Sequence, residues 1–344
     1  MTWKAAYDIL HLEKLAKWHF LDGLSNNILR MKKIFLLGVV IVLGVGMFMF
    51  KKGDNDSQTV LLDSEDAGSL FIKGSDTEVQ LVSNLVEAFL AERRSADIAV
   101  TGGGSGAGIA SLLNGEIDIA NSSRAMEAEE LGQADAKGLE AGEFILARDG
   151  LSVIVHADNP ITALSLDDVS RIFRGAVTNW RELGGPDASV VLYGRQSTSG
   201  TYLYFRDAVV RDDYAPTMRN MEGSQAIVDS VRSDKNGIGY VGVGYAKNED
   251  GTPRADINII LIKPESAAEA VSPLDVAAIR EGRYPITRPI YQYTARLPKP
   301  GTLLREFLTF ENSDEGQRIV EKTGFYRITA EDAAKNAALF AAAE

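Results

Sequence analysis

Gly194-Arg195-Gln196-Ser197-Thr198-Ser199-Gly200-Thr201 follows the apolar run Val190-Val191-Leu192-Tyr193 and precedes a helical pattern from Tyr202 to Val210. The run reads as a buried strand. Arg195 then stands at a strand end, and Ser199, Gly200 and Thr201 open a helix. The first N–H groups of a helix lack intrahelical partners, and the helix dipole there favours negative charge. Glycine lets a ligand approach the backbone, and the arginine fork fits an oxyanion with paired hydrogen bonds. The stretch reads as an anion site at a helix start. A serine-capped helix after an ordinary loop is the plainer alternative.

Upstream, a similar device recurs. Leu70-Phe71-Ile72 is a short strand ending in Gly74-Ser75-Asp76-Thr77. Val82, Leu85, Val86, Phe89 and Leu90 then mark one helix face. Ser75 and Glu78 fit a capping box. Ile98-Ala99-Val100 is a second strand, ending in Thr101-Gly102-Gly103-Gly104-Ser105-Gly106. Ile109, Leu112 and Leu113 give the next helix face, stopped by Asn114-Gly115. Ile117-Asp118-Ile119-Ala120 is a third strand, ending in Asn121-Ser122-Ser123-Arg124. Strand–helix alternation predicts an α/β fold with a parallel sheet, whose strand carboxyl ends face one crevice where ligands bind.

The 344 residues are 45% hydrophobic and 24% charged, enough for two domains. A formal net charge of −12 argues against nucleic acid as a partner. It does not argue against a small anion in a buried site, because distant surface charge is screened within about 8 Å at physiological salt. There are no cysteines, so disulfides, thiolate metal sites and cysteine nucleophiles are excluded. No cofactor or metal is expected. Of the histidines, His11 and His19 precede an apolar segment, which leaves His156 for the folded body.

That segment, Ile34 to Phe50, is 17 residues of uninterrupted apolar sequence after the basic Arg30, Lys32 and Lys33. It reads as a transmembrane helix with residues 1–33 as a cytoplasmic extension. A cleaved signal peptide has the same layout, but no Ala-x-Ala-like site follows. Residues 51–68 are polar and acidic, a linker. Further on, helices are expected over Leu166–Phe173, within Gly223–Ser233, around Leu303–Leu308 and over Gln317–Lys322. Ile238–Gly242, Ile257–Ile262 and Pro285–Tyr293 read as extended. The tail, 331–344, is Ala-rich and helix-prone.

The body from Ser69 to Ile328 resembles the phosphate-binding proteins that feed phosphate ABC transporters, of the type II periplasmic binding protein fold. The matching motifs are Gly74-Ser75-Asp76-Thr77, Gly104-Ser105-Gly106, Asp118 to Arg124, Arg195-x-x-x-Ser199-Gly200-Thr201, Leu166 to Trp180, Gly237 to Val241 and Gly324-Phe325-Tyr326. Each is weak alone; their joint order is specific. The resemblance implies two α/β domains joined by two crossing strands, near Leu151–Ala157 and Pro285–Tyr293, which close on inorganic phosphate. Domain one would span 69–152 and 290–330, and domain two 153–289. Transporter permease subunits would be its partners; a monomer is expected, held at the membrane by the Ile34–Phe50 segment with its body outside the cytoplasm. The resemblance also implies that Ser75, Asp76, Thr77, Ser105, Ser123, Arg195, Ser199, Gly200 and Thr201 line the site. Some members carry an aspartate where Ser123 stands, which accepts the phosphate proton. This chain needs another acceptor, for which Asp76 is the first candidate and Asp118 the second. Gln196 also stands where an acidic residue often follows the arginine.

Other readings stay open. Sulfate and molybdate are tetrahedral oxyanions too, and a phosphate sensor would share the site. Gly103-Gly104-Ser105-Gly106-Ala107 approaches a nucleophile elbow, but a serine hydrolase would need His156 as its base. Gly102-x-Gly104-x-x-Ala107 fits a loose dinucleotide fingerprint, although a short serine-lined cleft with Arg195 suits a small anion better.

Overall fold

Two five-stranded sheets organise the chain. The computed structural model describes residues 68–93, 96–248, 250–264 and 269–344. The segments 1–33, Ile34–Phe50 and 51–67 lie outside the described residues. Among the described residues, no helix is long and apolar enough to cross a membrane.

The first sheet holds β1 (Ser69–Gly74), β2 (Asp97–Thr101), β3 (Ile119–Ser122), β4 (Gly142–Gly150) and β12 (Thr287–Thr294), in the order β2-β1-β3-β12-β4. β1, β2 and β3 are parallel, as strand–helix alternation predicts. The sheet is nonetheless mixed, because β12 runs antiparallel to both β3 and β4. Helices α1 (Val79–Glu92), α8 (Leu303–Asn312) and α9 (Asp314–Lys322) cover one face, where Leu81, Leu85, Phe89, Phe307 and Val320 meet Ile72, Phe144 and Leu146. On the other face lie α2 (Ser105–Leu113) and α3 (Ala128–Ala136), with Ile109, Leu112 and Tyr293.

β5 (Ser152–His156), β6 (Ala163–Ser165), β7 (Val191–Arg195), β8 (Arg219–Met221), β9 (Gly237–Val241), β10 (Ile257–Ile259) and β11 (Leu261–Lys263) follow. The second sheet has the order β10-β5-β9-β7-β8, with β6 and β11 as a separate parallel pair. The helices of this part are α4 (Leu166–Phe173), α5 (Gly200–Phe205), α6 (Gly223–Ser233) and α7 (Val276–Arg280). Thus Ile257–Ile262 is two strands, not one. Ile260 bonds its N–H to Val153, and the chain then leaves for β6.

The links between the sheets are short. β4 ends at Gly150 and β5 begins at Ser152. The return enters β12 at Thr287, paired with Gly150. Both crossings therefore lie at the crevice end, beside the carboxyl ends of β1 and β3. The β4–β12 ladder also carries a bulge. Ala147 pairs with Ile290, but the next pair is Ile145 with Tyr291, so Leu146 is extra. Its orphaned backbone groups find side chains. Asn336 of α10 (Ala330–Ala342) bonds both the N–H and the C=O of Ile145 at 2.9 Å, and Gln317 donates to Leu146 C=O at 3.1 Å. The Ala-rich tail is thus a packed helix.

Two details depart from the sequence reading. α1 starts at Val79, with no side-chain cap, so the Ser75–Glu78 capping box does not form. Ser75 is drawn instead to Ser123. Asp118 precedes β3 rather than lying inside the strand, and its Oδ2 accepts the Phe71 N–H at 2.8 Å. That places it at the amino end of the sheet, away from the strand-end loops.

Candidate functional site

Four strand ends converge. β1 delivers Ser75, Asp76 and Thr77, and the glycine loop after β2 delivers Ser105. Ser123 follows β3, and β7 ends in Arg195, four residues before the Ser199 cap of α5. The helical run of α5 continues as a π-helical turn, Arg206–Val210.

Chain adjacency and side-chain contacts bring the nine residues named from sequence to the same group of strand ends. Thr77 Oγ1 and Thr201 Oγ1 are 2.9 Å apart, joining the first domain to the second. Ser105 Oγ accepts the Ser123 N–H at 3.1 Å. The Ser75 and Ser123 hydroxyls are in contact. Ser199 Oγ accepts from Tyr202 N–H at 3.4 Å, capping α5. Gly200 passes so near Ser105 that an added Cβ would lie 2.4 Å from its Oγ, so only glycine fits there. Gly74 is equally constrained, with φ +146 and the Asn121 carbonyl 2.2 Å from where a Cβ would sit.

Arg195 is the cationic member. It is 1% exposed. Its Nη2 donates to Asp76 Oδ2, and the other Asp76 oxygen accepts the Gly103 N–H at 3.0 Å. Both Asp76 oxygens are therefore engaged. Arg195 Nε and Nη1 are buried and have no acceptor among the described residues. Leaving buried N–H donors of a charged group unmade is costly. The surrounding hydroxyls of Ser75, Thr77, Ser105, Ser123, Ser199 and Thr201 are also buried. Such a cluster of donors with one positive fork suits an oxyanion with several acceptor oxygens.

Sequence reasoning missed the pair beneath the cluster. Asp149 and Arg288 are register partners on β4 and β12, 0% and 1% exposed. Arg288 Nη2 and Nε reach Asp149 Oδ2 at 2.9 and 3.2 Å. Arg288 also donates to Thr201 Oγ1 at 3.1 Å and to the Ser123 carbonyl at 3.0 Å. Asp149 Oδ1 accepts the Val243 N–H at 3.0 Å. The signal was present, since Ile286, Arg288 and Ile290 alternate on one strand face. A charge among core positions of a strand is itself informative. Tyr245 was missed too. Its Oη donates to the Asp76 main-chain oxygen at 2.7 Å, and burial pushes that phenol up to about 12, keeping it a donor.

His156 is placed elsewhere. It ends β5 and pairs with Ile257 of the edge strand β10, its Nδ1 accepting the Asp158 N–H at 3.0 Å.

The chain was compared with known proteins. Residues 62–315 match the family model described as a PBP superfamily domain. The phosphate-binding protein PstS of Pseudomonas aeruginosa is 32% identical over 285 residues, covering 78% of this chain and 86% of that protein. The PstS of Bacillus subtilis is 32% identical over 281 residues, covering 81% and 86%. Among solved structures, one from Clostridium perfringens, described as a phosphate ABC transporter substrate-binding protein with bound phosphate, aligns with a TM-score of 0.66. It is 27% identical and covers 76% of this chain and all of that one. An ABC-type phosphate transport receptor from Vibrio cholerae aligns at 0.59, with 25% identity. With the motifs in order, two mixed sheets linked by β4 and β12, and the strand-end loops gathered around Arg195, the chain belongs to the PBP superfamily, in the family of the PstS phosphate-binding proteins.

Proposed function

We propose that this protein binds inorganic phosphate outside the cytoplasm and hands it to the permease subunits of an ABC transporter, the two domains closing on the anion. The observation that carries this reading is Arg195, buried with two unpartnered donor nitrogens amid six buried hydroxyls. The names of the relatives point the same way. The ligands would be Ser75, Asp76, Thr77, Ser105, Ser123, Arg195, Ser199, Gly200 and Thr201. Only the closed form supplies contacts from both domains, so the anion favours closure. The basic cluster before Ile34–Phe50 supports membrane anchoring with the body outside, and the protein would act as a monomer. A hydrolase is disfavoured, since Ser105 serves as an acceptor for Ser123 N–H and His156 is bonded within its own turn.

Calorimetry of the full-length protein in detergent, against phosphate, sulfate and molybdate, tests the reading. Saturable heat with phosphate alone is expected. Heat with molybdate or sulfate only would reassign the ligand.

Asp76 gains a sharper role than the sequence allowed. With its two oxygens on Arg195 and Gly103, it positions the guanidinium. Asp76→Asn is expected to weaken phosphate binding by roughly tenfold, the worth of one charge-assisted bond, with sulfate still giving no saturable heat. A selective loss of preference for phosphate would instead make Asp76 the acceptor of the phosphate proton.

A further inference from the structure

Glu78 stands directly behind the anion cluster, and the proposed function assigns it nothing. The turn after β1 folds it back, its N–H donating to the Ser75 carbonyl at 3.1 Å. Its side chain is 0% exposed, and neither carboxyl oxygen has a hydrogen-bond partner among the described residues at normal geometry. The groups that face it are the Ser75 hydroxyl, Arg288 from β12, Asp149 from β4 and Glu311 from α8.

Arg288 does not serve it as a counter-ion. That guanidinium is already divided among Asp149, Thr201 and the Ser123 carbonyl. An ionised Glu78 would be a second carboxylate beside Asp149, dry and unpartnered, which is an unfavourable arrangement for a buried charge. Burial pushes the Glu78 carboxyl well above the usual carboxylate range. Ser75 and Arg288 pull it back, while Glu311 and Asp149 push it further up. Glu311 is itself buried and raised to about 8, with Gln292 donating to it at 3.2 Å.

Resting on the oxyanion reading of the site, we propose that Glu78 is a proton-carrying positioning residue. As a neutral carboxyl it donates to Ser75 Oγ, and this turns the Ser75–Ser123 hydroxyl pair into donors toward the anion. Ser75 can accept from Glu78 only by sending its own hydrogen onward, to Ser123 or to the ligand. Ser123 then sends its hydrogen to the ligand. If Glu78 loses its proton the order reverses, and the nearest hydroxyl turns its hydrogen away from the anion. Anion binding and the proton on Glu78 thus stabilise each other, and by linkage the effect is reciprocal.

The sign follows. Affinity is full below the titration of Glu78 and falls as pH rises through it, by about tenfold per pH unit for one linked proton. The full-length protein is titrated with phosphate at alkaline pH values where free phosphate keeps a single proton, in buffers of different ionisation heat. As the pH rises through the Glu78 titration, proton uptake by wild type is expected to grow from none toward one per anion bound. Glu78→Gln should take up none and show a flat profile, while Glu311→Gln keeps the uptake. Ser75→Ala, which cuts the hydroxyl link but leaves Glu78 in place, should lower it. No uptake by wild type at any pH of the series overturns the proposal without any variant, as does full uptake in Glu78→Gln or in Ser75→Ala. A wild type that binds no phosphate even at neutral pH overturns the functional reading itself, and is seen before the pH series begins.

Discussion

Arg195→Ala is expected to lower phosphate affinity by about a hundredfold to ten-thousandfold. Two N–H groups of the fork, Nε and Nη1, are buried without protein partners, and each bond from a charged donor to the anion is worth about 1.5–3 kcal/mol. Two such bonds give roughly 3–6 kcal/mol, and every 1.4 kcal/mol is about tenfold. The substitution also strips Asp76 of its counter-charge. Arg195→Lys should recover little, because an ammonium cannot serve Asp76 and the ligand through one planar fork. Titration calorimetry decides, with circular dichroism to establish that both variants fold. Wild-type affinity in both would move the site away from β7.

The second large effect is on stability. Arg288→Ala and Asp149→Ala each leave one fully buried charge without its partner, which costs about 3–5 kcal/mol. For a chain of this size that lowers Tm by roughly 6–20 °C. Replacing both together, as Arg288→Met with Asp149→Leu, should cost much less than either single change, since no charge is then stranded. Phosphate affinity should still fall in the double variant, because Thr201 and the Ser123 loop lose their shared donor. Thermal melts of the three variants settle it. Single variants that melt with wild type would show that the pair is dispensable.

These two predictions differ in how far the sequence announced them. Arg195 was legible because a local pattern carries it: an apolar run, an arginine, then Ser-Gly-Thr at a helix start. The helices with a clear 3.6-residue face, such as Leu166–Phe173 and Leu303–Asn312, were legible for the same reason. β4 was not. Its alternation is broken by the Leu146 bulge and by the core-facing Asp149, so neither strand period shows. Arg288 and Asp149 are 139 residues apart, and nothing local reports that a ladder makes them neighbours. Glu78 failed in the opposite way. A local rule offered a helix-cap role, but a longer-range contact took Ser75 to Ser123 and left the glutamate buried. Ile257–Ile262 was one run in sequence because a switch between sheets at Ile260 leaves no mark in hydrophobicity.

One feature of the cluster bears on how the ligand is caught. The two guanidinium groups are each matched by a carboxylate, Arg195 by Asp76 and Arg288 by Asp149, so these four side chains sum to zero. The chain as a whole carries −12. An approaching anion therefore crosses a repulsive far field toward an electroneutral pocket, and long-range steering gives it no help. On the phosphate reading, everything that would hold it is short-range. Added salt screens only the repulsion. On that reading, capture is expected to gain from ionic strength where nucleic-acid binding, built on released counterions, would lose.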